Sequence, residues 1–204
     1  MAGFFISLDG IDGGGKSTQI KLLKAWFESL GRKVVTLRDP GGTTLGESLR
    51  EILLHRQEIP LGMRAEMLLY MASRAELVEQ VIQPALEAGN VVIADRYLLA
   101  NVVYQGVAGK LGAELVWQVG QVATGGLMPN LTFILDLDIE TSRQRIQGNL
   151  DRLESRGAEY MASVREGFLQ QAKRPNIHAV VIDARRSIQE IHTQIISAIS
   201  SLSI

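Results

Sequence analysis

A glycine-rich segment near the start of the chain limits the possible folds more than any other feature. Residues Gly10-Ile11-Asp12-Gly13-Gly14-Gly15-Lys16-Ser17 match the pattern G-x-x-x-x-G-K-[ST], and Thr18 follows them. The apolar run Phe4–Leu8 precedes this segment. A repeat of helical spacing comes after it, formed by Ile20, Leu23, Phe27 and Leu30. A buried strand, a glycine-rich loop and a helix in this order predict a phosphate-binding loop in an α/β protein.

The residue types of this loop suit a polyphosphate. Glycines allow main-chain N–H groups to turn inward around a phosphate, and the N-terminal end of the next helix adds positive potential. Lys16 is predicted to reach the outer phosphates, and the Ser17 hydroxyl is predicted to bind Mg²⁺. A flexible turn that precedes a lysine by chance is the alternative, and the flanking strand and helix argue against it. The loop predicts nucleotide binding but does not by itself specify a kinase.

Apolar runs alternate with segments of helical period along the whole chain. The runs are Phe4–Leu8, Lys33–Leu37, Val91–Ala94, Leu131–Leu137 and His178–Ile182. Gly31 is predicted to end the first helix, and Ser187 and Glu190 predict a capping box at the start of the last helix. This alternation predicts an α/β P-loop NTPase fold of three layers, with a five-stranded parallel sheet between helices. We expect residues 1–204 to form one domain, with a short arginine-bearing lid at about residues 143–156.

Composition excludes several other kinds of site. The chain has no cysteine, which excludes a disulfide framework, a catalytic thiol and a thiolate zinc site. Its formal net charge of -1 gives no global basic field for nucleic acid. No apolar stretch approaches the ~20 residues that cross a bilayer, and Met1–Leu8 lacks the basic start of a signal peptide. We therefore expect a cytoplasmic protein with neither a nucleic-acid nor a membrane partner.

Charged residues directly follow two of the predicted strands, where ligands of parallel sheets bind. After Val91–Ala94, Asp95 is suited to hold magnesium or its waters, and Arg96 is suited to grip a phosphate. A surface ion pair is the alternative for these two residues. After Lys33–Leu37 come Arg38, Asp39 and the turn Pro40-Gly41-Gly42-Thr43. A Pro-Gly turn explains the glycines, whereas Arg38 and Asp39 favour a site for an acceptor phosphate.

Two further groups of side chains suit a nucleotide substrate. Tyr70 and Arg74 are four residues apart in the predicted helical segment Met63–Ala88, so an aromatic face and a guanidinium share one side. A planar base could stack on one and accept a hydrogen bond from the other, although simple helix packing explains the pair equally well. Four arginines surround the Gly148-Asn149 turn: Arg143, Arg145, Arg152 and Arg156. They suit a lid that closes over phosphates, and the alternative is a solvated face balanced by Asp151, Glu154 and Glu159.

Together these motifs resemble those of bacterial thymidylate kinases over almost the whole chain. The resemblance lies in Asp9–Thr18, Arg38–Thr43, Tyr70 to Arg74, Asp95-Arg96-Tyr97, Asn101, Tyr104-Gln105-Gly106, Asp151–Glu154 and Val164–Phe168. It implies the reaction ATP + dTMP → ADP + dTDP, by direct in-line transfer with magnesium. It also implies a homodimer, for which the Met63–Ala88 helix would supply part of the interface.

The resemblance further implies a role for each matching residue on the phosphate side. Lys16 and the loop amides would hold the ATP phosphates, and Asp12 would lie between the two nucleotides near the metal. Arg38 and Arg96 would hold the acceptor phosphate. Because the loop carries Gly13 where some members have a basic residue, a lid arginine would reach the transferred phosphate. Arg152 is favoured for this role, Arg145 comes second, and Arg143 would lie nearer the adenine.

On the base side, the resemblance implies that Tyr70 covers the thymine. Arg74 and Asn101, with Gln105, would bond the polar edge of the base, and Tyr104 would crowd the ribose 2′ position. Two alternatives stay open from the sequence. One is a P-loop kinase of another nucleotide or nucleoside, since one methyl group discriminates by only ~1–3 kcal/mol. The other is a P-loop regulatory ATPase switch, although the sequence lacks the Asn-Lys-x-Asp motif of guanine-specific switches.

Overall fold

A parallel sheet of five strands forms the centre of the computed structural model, which describes residues 2–56, 58–146 and 152–202. The strands are β1 (Phe4–Asp9), β2 (Val34–Arg38), β3 (Val91–Asp95), β4 (Leu131–Asp136) and β5 (Ala179–Asp183). Their order is β2-β3-β1-β4-β5, and all four pairings are parallel. The predicted strands and the parallel sheet are confirmed, with boundaries that differ by about one residue.

Helices on both sides bury the sheet and complete the predicted three-layer α/β fold. They are α1 (Lys16–Ser29), α2 (Thr44–Arg50), α3 (Met63–Leu77), α4 (Gln83–Glu87), α5 (Leu98–Asn101), α6 (Ala113–Thr124), α7 (Ile139–Arg145), α8 (Ala158–Gln171) and α9 (Ile188–Ser200). Helices α1 and α9 pack together, while α3, α6 and α8 belong to a second packed group. Every residue of β1 is buried, which explains why its sequence is almost entirely apolar.

The helix ends follow the predicted signals. Gly31 has a left-handed φ of 75° just after α1, and Ser187 and Glu190 form the capping box of α9. The predicted Met63–Ala88 helix is interrupted by a wider π-helical turn at Val78–Ile82, between α3 and α4. Pro84 has no N–H to donate to the carbonyl of Gln80, so an ordinary helical hydrogen bond is impossible there.

The predicted lid falls partly outside the described residues. Its Gly148-Asn149 turn and Asp151 lie in the gap at 147–151, and the side chain of Glu154 lies outside the description as well. On either side of the gap, α7 ends at Arg145 and a short 3₁₀ turn covers Glu154–Arg156. Among the helices of the described ranges, none is long and apolar enough to cross a membrane.

Candidate active site

The glycine-rich loop connects β1 to α1 in a conformation that requires glycine at several positions. Gly10, Gly13 and Gly15 have φ values of 121°, 77° and 89°, which side-chain-bearing residues rarely adopt. At Gly10 an added Cβ would lie 2.5 Å from the main-chain oxygen of Leu135 on the neighbouring strand β4. The loop is therefore packed tightly against the carboxyl end of the sheet.

Lys16 begins α1 and its ammonium lies inside the loop. The Nζ atom donates to the carbonyl oxygens of Gly10 at 3.2 Å and Ile11 at 3.0 Å, and it is 3.3 Å from Oδ1 of Asp12. The Ile11 side chain is buried in the core, so Ile11 offers only main-chain atoms to a ligand. Ser17 and Thr18 are exposed in the first turn of α1. Together these groups place a cation, hydroxyls and a helix N-terminus around one point, as a polyphosphate requires.

Helix α7 holds the loop from the outside. The Ser142 hydroxyl donates to the main-chain oxygen of Asp12 at 2.8 Å, and Arg145 donates to those of Gly13 at 3.3 Å and Ala184 at 2.9 Å. A Cβ on Gly13 would lie 3.0 Å from the Ser142 oxygen, so the helix leaves little room for a larger residue. Sequence reasoning missed Ser142, because its contact joins residues 130 positions apart.

Arg96 and Asp12 form the centre of the site. Arg96 donates to the carbonyl of Gly10 at 2.7 Å and to Oδ1 of Asp12 at 2.8 Å. Burial raises the pKa of Asp12, but the adjacent Arg96 and Lys16 cations outweigh it and hold that pKa well below its usual value. Asp12 is therefore ionised between two cations. The backbone of Arg96 is left-handed, with a φ of 67°, and its guanidinium carbon lies 5.3 Å from the ring centre of Tyr104.

Asp9 is a buried acid beneath the loop that the sequence analysis did not assign to the site. Among the described residues, neither of its carboxylate oxygens has a hydrogen-bond partner. Burial raises the pKa of Asp9 to about 7, against the lowering effect of Arg96 and Lys16. A signal was present in the sequence, since Asp9 is the only charged residue of the buried strand β1 and stands at its end.

A cavity of about 380 Å³ opens beside the loop. All nine predicted substrate-binding residues line it, together with Asp12 and Asp95: Arg38, Asp39, Pro40, Tyr70, Arg74, Arg96, Asn101, Tyr104 and Gln105. The carboxyl ends of β2 and β3 supply several of these side chains, as expected for a parallel sheet. The size suits a small organic ligand such as a nucleotide.

One end of the cavity is cationic. Arg38 is 55% exposed and pairs with Glu47 at 2.8 Å, while the other Glu47 oxygen accepts from the Gly42 N–H at 2.8 Å. Arg50, at the end of α2, donates to the carbonyl of Pro40 at 2.9 Å and lines the same end. Burial lowers the pKa of Arg50, as does the nearby Arg38. Sequence reasoning did not single out Arg50, although its spacing of three from Glu47 on a helix was a possible signal.

The other end of the cavity is polar and rigid. Arg74 pairs with Asp39 through Nε at 2.5 Å and donates from Nη1 to Oδ1 of Asn101 at 3.0 Å. Both members of the ion pair are almost fully buried, and burial raises the pKa of Asp39 against the effect of Arg74. Asn101 in turn donates to Gln105 at 2.6 Å. Tyr70 is buried beside Leu53 and Leu54 at the wall of this end.

The lid arginines point in different directions. Arg152 donates from Nε to the carbonyl of Leu53 at 3.0 Å, and its Nη2 atom contacts the carbonyl of Arg56. These contacts satisfy one carbonyl of the π-helical turn Glu51–His55, which follows α2, and the carbonyl of the residue that caps this turn. Arg156 pairs with the buried Glu66, and Arg143 is exposed on α7. The structure therefore brings only Arg145 of the four to the phosphate loop.

The residues present fit a magnesium ion of the kind that nucleotides carry. Ser17 and Asp95 line one shared cavity next to the loop. Within the described ranges, no group of three His, Cys, Asp or Glu side chains could hold a metal by itself. Mg²⁺ is normally bound by one or two protein oxygens together with phosphates and waters, and these two residues match that pattern.

The strand order, the loop around Lys16 and the adjoining nucleotide-sized cavity define a P-loop nucleotide kinase. The sequence model of the family described as thymidylate kinase matches residues 8–195. The chain therefore belongs to the thymidylate kinase family, and it is a transferase of the kinase class.

Individual relatives agree with this assignment. A thymidylate kinase of Rhodopirellula baltica is 48% identical over 189 residues, covering 93% of this chain and 77% of the relative. One of Sulfurihydrogenibium sp. is 40% identical over 202 residues, covering 99% of both proteins. The solved structure of thymidylate kinase from Ehrlichia chaffeensis is 29% identical, with a TM-score of 0.79, and covers 98% of this chain and 99% of that chain. The likeness therefore extends over the fold and nearly the whole chain.

Proposed function

We propose that this chain transfers the γ-phosphoryl group of ATP to thymidine monophosphate, giving ADP and thymidine diphosphate. The observation that carries the proposal is the position of Arg96, which lines the acceptor cavity and is bonded to the phosphate loop at Gly10. One guanidinium thus lies between the place for the donor phosphates and the place for the acceptor phosphate. A regulatory ATPase switch would leave the cavity and its buried polar wall without a use.

In the proposed reaction, an oxygen of the acceptor phosphate attacks the γ-phosphorus in line. The bond from that phosphorus to the bridging oxygen breaks, and the electron pair stays on ADP. Lys16 and the main-chain N–H groups of residues 10 to 18 hold the donor phosphates, with Arg143 near the adenine. Because the transition state carries charge on the transferred group, positioning and charge neutralisation supply most of the catalysis.

On the acceptor side, Arg38 and Arg96 hold the phosphate of dTMP, and Arg50 lies beside them in the same cationic end. Asp12 keeps both Lys16 and Arg96 in place through its ionised carboxylate. Tyr70 covers the base, and the ring of Tyr104 occupies the space next to the sugar.

The proposed reaction also needs a metal ion and a closing lid. Mg²⁺, held by Ser17 and Asp95, would neutralise negative charge on the nucleotide phosphates. Residues 1–204 would form one domain, and its lid at about residues 143–156 would close over the donor nucleotide. Arg152 would then leave the carbonyl of Leu53 to reach the transferred phosphate, whereas Arg145 already contacts the loop.

We expect dTMP to be the preferred acceptor in a panel with dUMP, dCMP, dGMP, dAMP and UMP. The buried wall of Arg74, Asn101 and Gln105 fixes the hydrogen-bonding pattern offered to the base, so bases with another pattern leave polar groups unpaired. ADP release would be measured with magnesium present, with EDTA, and without acceptor. Full turnover with ATP alone would exclude the kinase reaction, and preference for dCMP, dGMP or dAMP would exclude the roles given to these three residues. Uracil has the same hydrogen-bonding edge as thymine, so dUMP tests only the contribution of the methyl group.

We also propose a homodimer, located in the cytoplasm where ATP and nucleoside monophosphates are found. Leu68 on α3 and Leu115 and Val122 on α6 are large apolar side chains that are 53%, 44% and 84% exposed. Since α3 and α6 pack side by side, their exposed faces suit a self-complementary interface. Sedimentation should give twice the mass of the chain, and Val122→Glu should shift it to the monomer. A wild-type protein that sediments as a monomer at micromolar concentration would refute the dimer.

A further inference from the structure

Glu66 is a fully buried carboxylate that does not line the cavity yet connects to its polar wall. It belongs to α3, and its side chain is 1% exposed. Oε1 accepts a hydrogen bond from Nε2 of Gln105 at 2.8 Å, and Oε2 pairs with Nη2 of Arg156 at 2.5 Å. Arg156 also donates to the hydroxyl of Tyr160 at 3.0 Å, which fixes the guanidinium in place. Both carboxylate oxygens of Glu66 therefore have partners inside the protein.

From Glu66 the hydrogen bonds run in one direction to the base end of the cavity. Gln105 donates to Glu66 and accepts from Nδ2 of Asn101 at 2.6 Å, and Asn101 accepts from Nη1 of Arg74 at 3.0 Å. A carboxylate can only accept and a guanidinium can only donate. These two ends therefore determine which way both amides point. In each amide the oxygen faces toward Arg74, and the NH₂ group faces toward Glu66.

We propose that Glu66 is a positioning residue for base selection, because it sets the direction of the Asn101 and Gln105 amides. This inference rests on the proposed function. Thymine offers an N3–H donor beside the O4 acceptor, whereas cytosine offers an N3 acceptor beside an amino donor. Amide oxygens held in the observed direction accept from N3–H, and Arg74 donates to O4. Reversed amides would present N–H groups to N3 and would suit cytosine instead.

Replacement of Glu66 by glutamine keeps the shape of the side chain. The row of side chains from Arg156 to Arg74 can then no longer pair a donor with an acceptor at every contact. Three amides would then connect two guanidiniums, Arg156 and Arg74, that can only donate. Whatever the orientation of the amides, one junction in such a row brings two donors together. A buried junction of two donors is unfavourable, and if the new glutamine turns its oxygen toward Arg156, the amides of Gln105 and Asn101 must both reverse to keep a donor opposite an acceptor.

The experiment compares kcat/KM for dTMP and dCMP in the wild type, Glu66→Gln and the control Glu79→Gln, which removes an exposed carboxylate from the same helical segment. We expect Glu66→Gln to raise KM for dTMP and to lower the dTMP:dCMP ratio by about 10-fold or more, with a smaller change in kcat. Glu79→Gln should match the wild type. A folded Glu66→Gln protein with an unchanged ratio would overturn the inference.

A second variant separates positioning from simple loss of stability. In Glu66→Gln with Gln105→Glu, the amide and the carboxylate exchange places, so every junction between Arg156 and Arg74 again joins a donor to an acceptor. Because Gln105 itself lines the cavity, the double variant is compared with Gln105→Glu alone, and we expect the double variant to have both the higher melting temperature and the higher dTMP:dCMP ratio. A double variant that recovers stability with a ratio no higher than that of Gln105→Glu would show that Glu66 is only structural. Failure of the wild type to phosphorylate dTMP would instead refute the proposed function.

Discussion

Lys16→Ala is expected to lower kcat for dTMP phosphorylation by about 10²- to 10³-fold, the loss found when one preorganised donor is removed. The Lys16 ammonium is held inside the loop by the carbonyls of Gly10 and Ile11, where the proposed reaction needs a cation to neutralise charge on the transferred group. The measurement is steady-state ADP formation at saturating ATP, with single-turnover kinetics to separate chemistry from product release.

The matched control is Lys24→Ala on the same helix. Lys24 is 46% exposed and pairs with Glu28 on the surface, so its removal should change kcat by less than about twofold. Circular dichroism melts of both variants would confirm that they are folded. Near-normal turnover of a folded Lys16→Ala protein would show that the loop does not hold the transferred phosphate.

Arg96→Ala is expected to lower kcat/KM for dTMP by a similar factor of about 10² to 10³. The guanidinium lies between the loop and the acceptor cavity, and its loss removes the positive charge expected at the acceptor phosphate. Asp12 would also lose its partner at 2.8 Å, leaving it with Lys16 alone. The measurement is kcat/KM for dTMP at saturating ATP.

Arg32→Ala is the control for this variant. Arg32 donates to the carbonyls of Ala2 and Gly89, next to the amino ends of the strands and away from the cavity. Its replacement should leave kcat/KM within about twofold of the wild type. An Arg96→Ala enzyme with KM and kcat close to the wild type would remove Arg96 from the site.

The sheet and the phosphate loop could be predicted because their signals are local in sequence. Each buried strand is a short apolar run, and the loop pattern is contiguous from Gly10 to Ser17. The clustering of Arg38 with Arg96 also followed, since parallel strands bring their carboxyl ends to one edge of the sheet. The family resemblance added roles for these residues, and those roles remain predictions.

Contacts between distant segments could not be predicted in this way. The carbonyls of the π-helical turn after α2 bind Arg152, and the buried Glu66 binds Arg156, so both arginines have partners that sequence spacing does not indicate. Ser142 and Arg50 were missed for a second reason, because each contacts a main-chain carbonyl. Side chains that bind main-chain oxygens leave no complementary residue type to recognise in the sequence.

The left-handed backbone of Arg96 has a consequence for variant libraries. At a φ of 67° glycine is the least strained residue, so Arg96→Gly should melt at a higher temperature than Arg96→Ala, the reverse of the usual order. A display library sorted only for folding would then enrich glycine over alanine at this codon, while a growth assay that requires dTDP would discard both. Applying both selections to one library would separate the residue that the main-chain conformation favours at position 96 from the residue that the reaction requires.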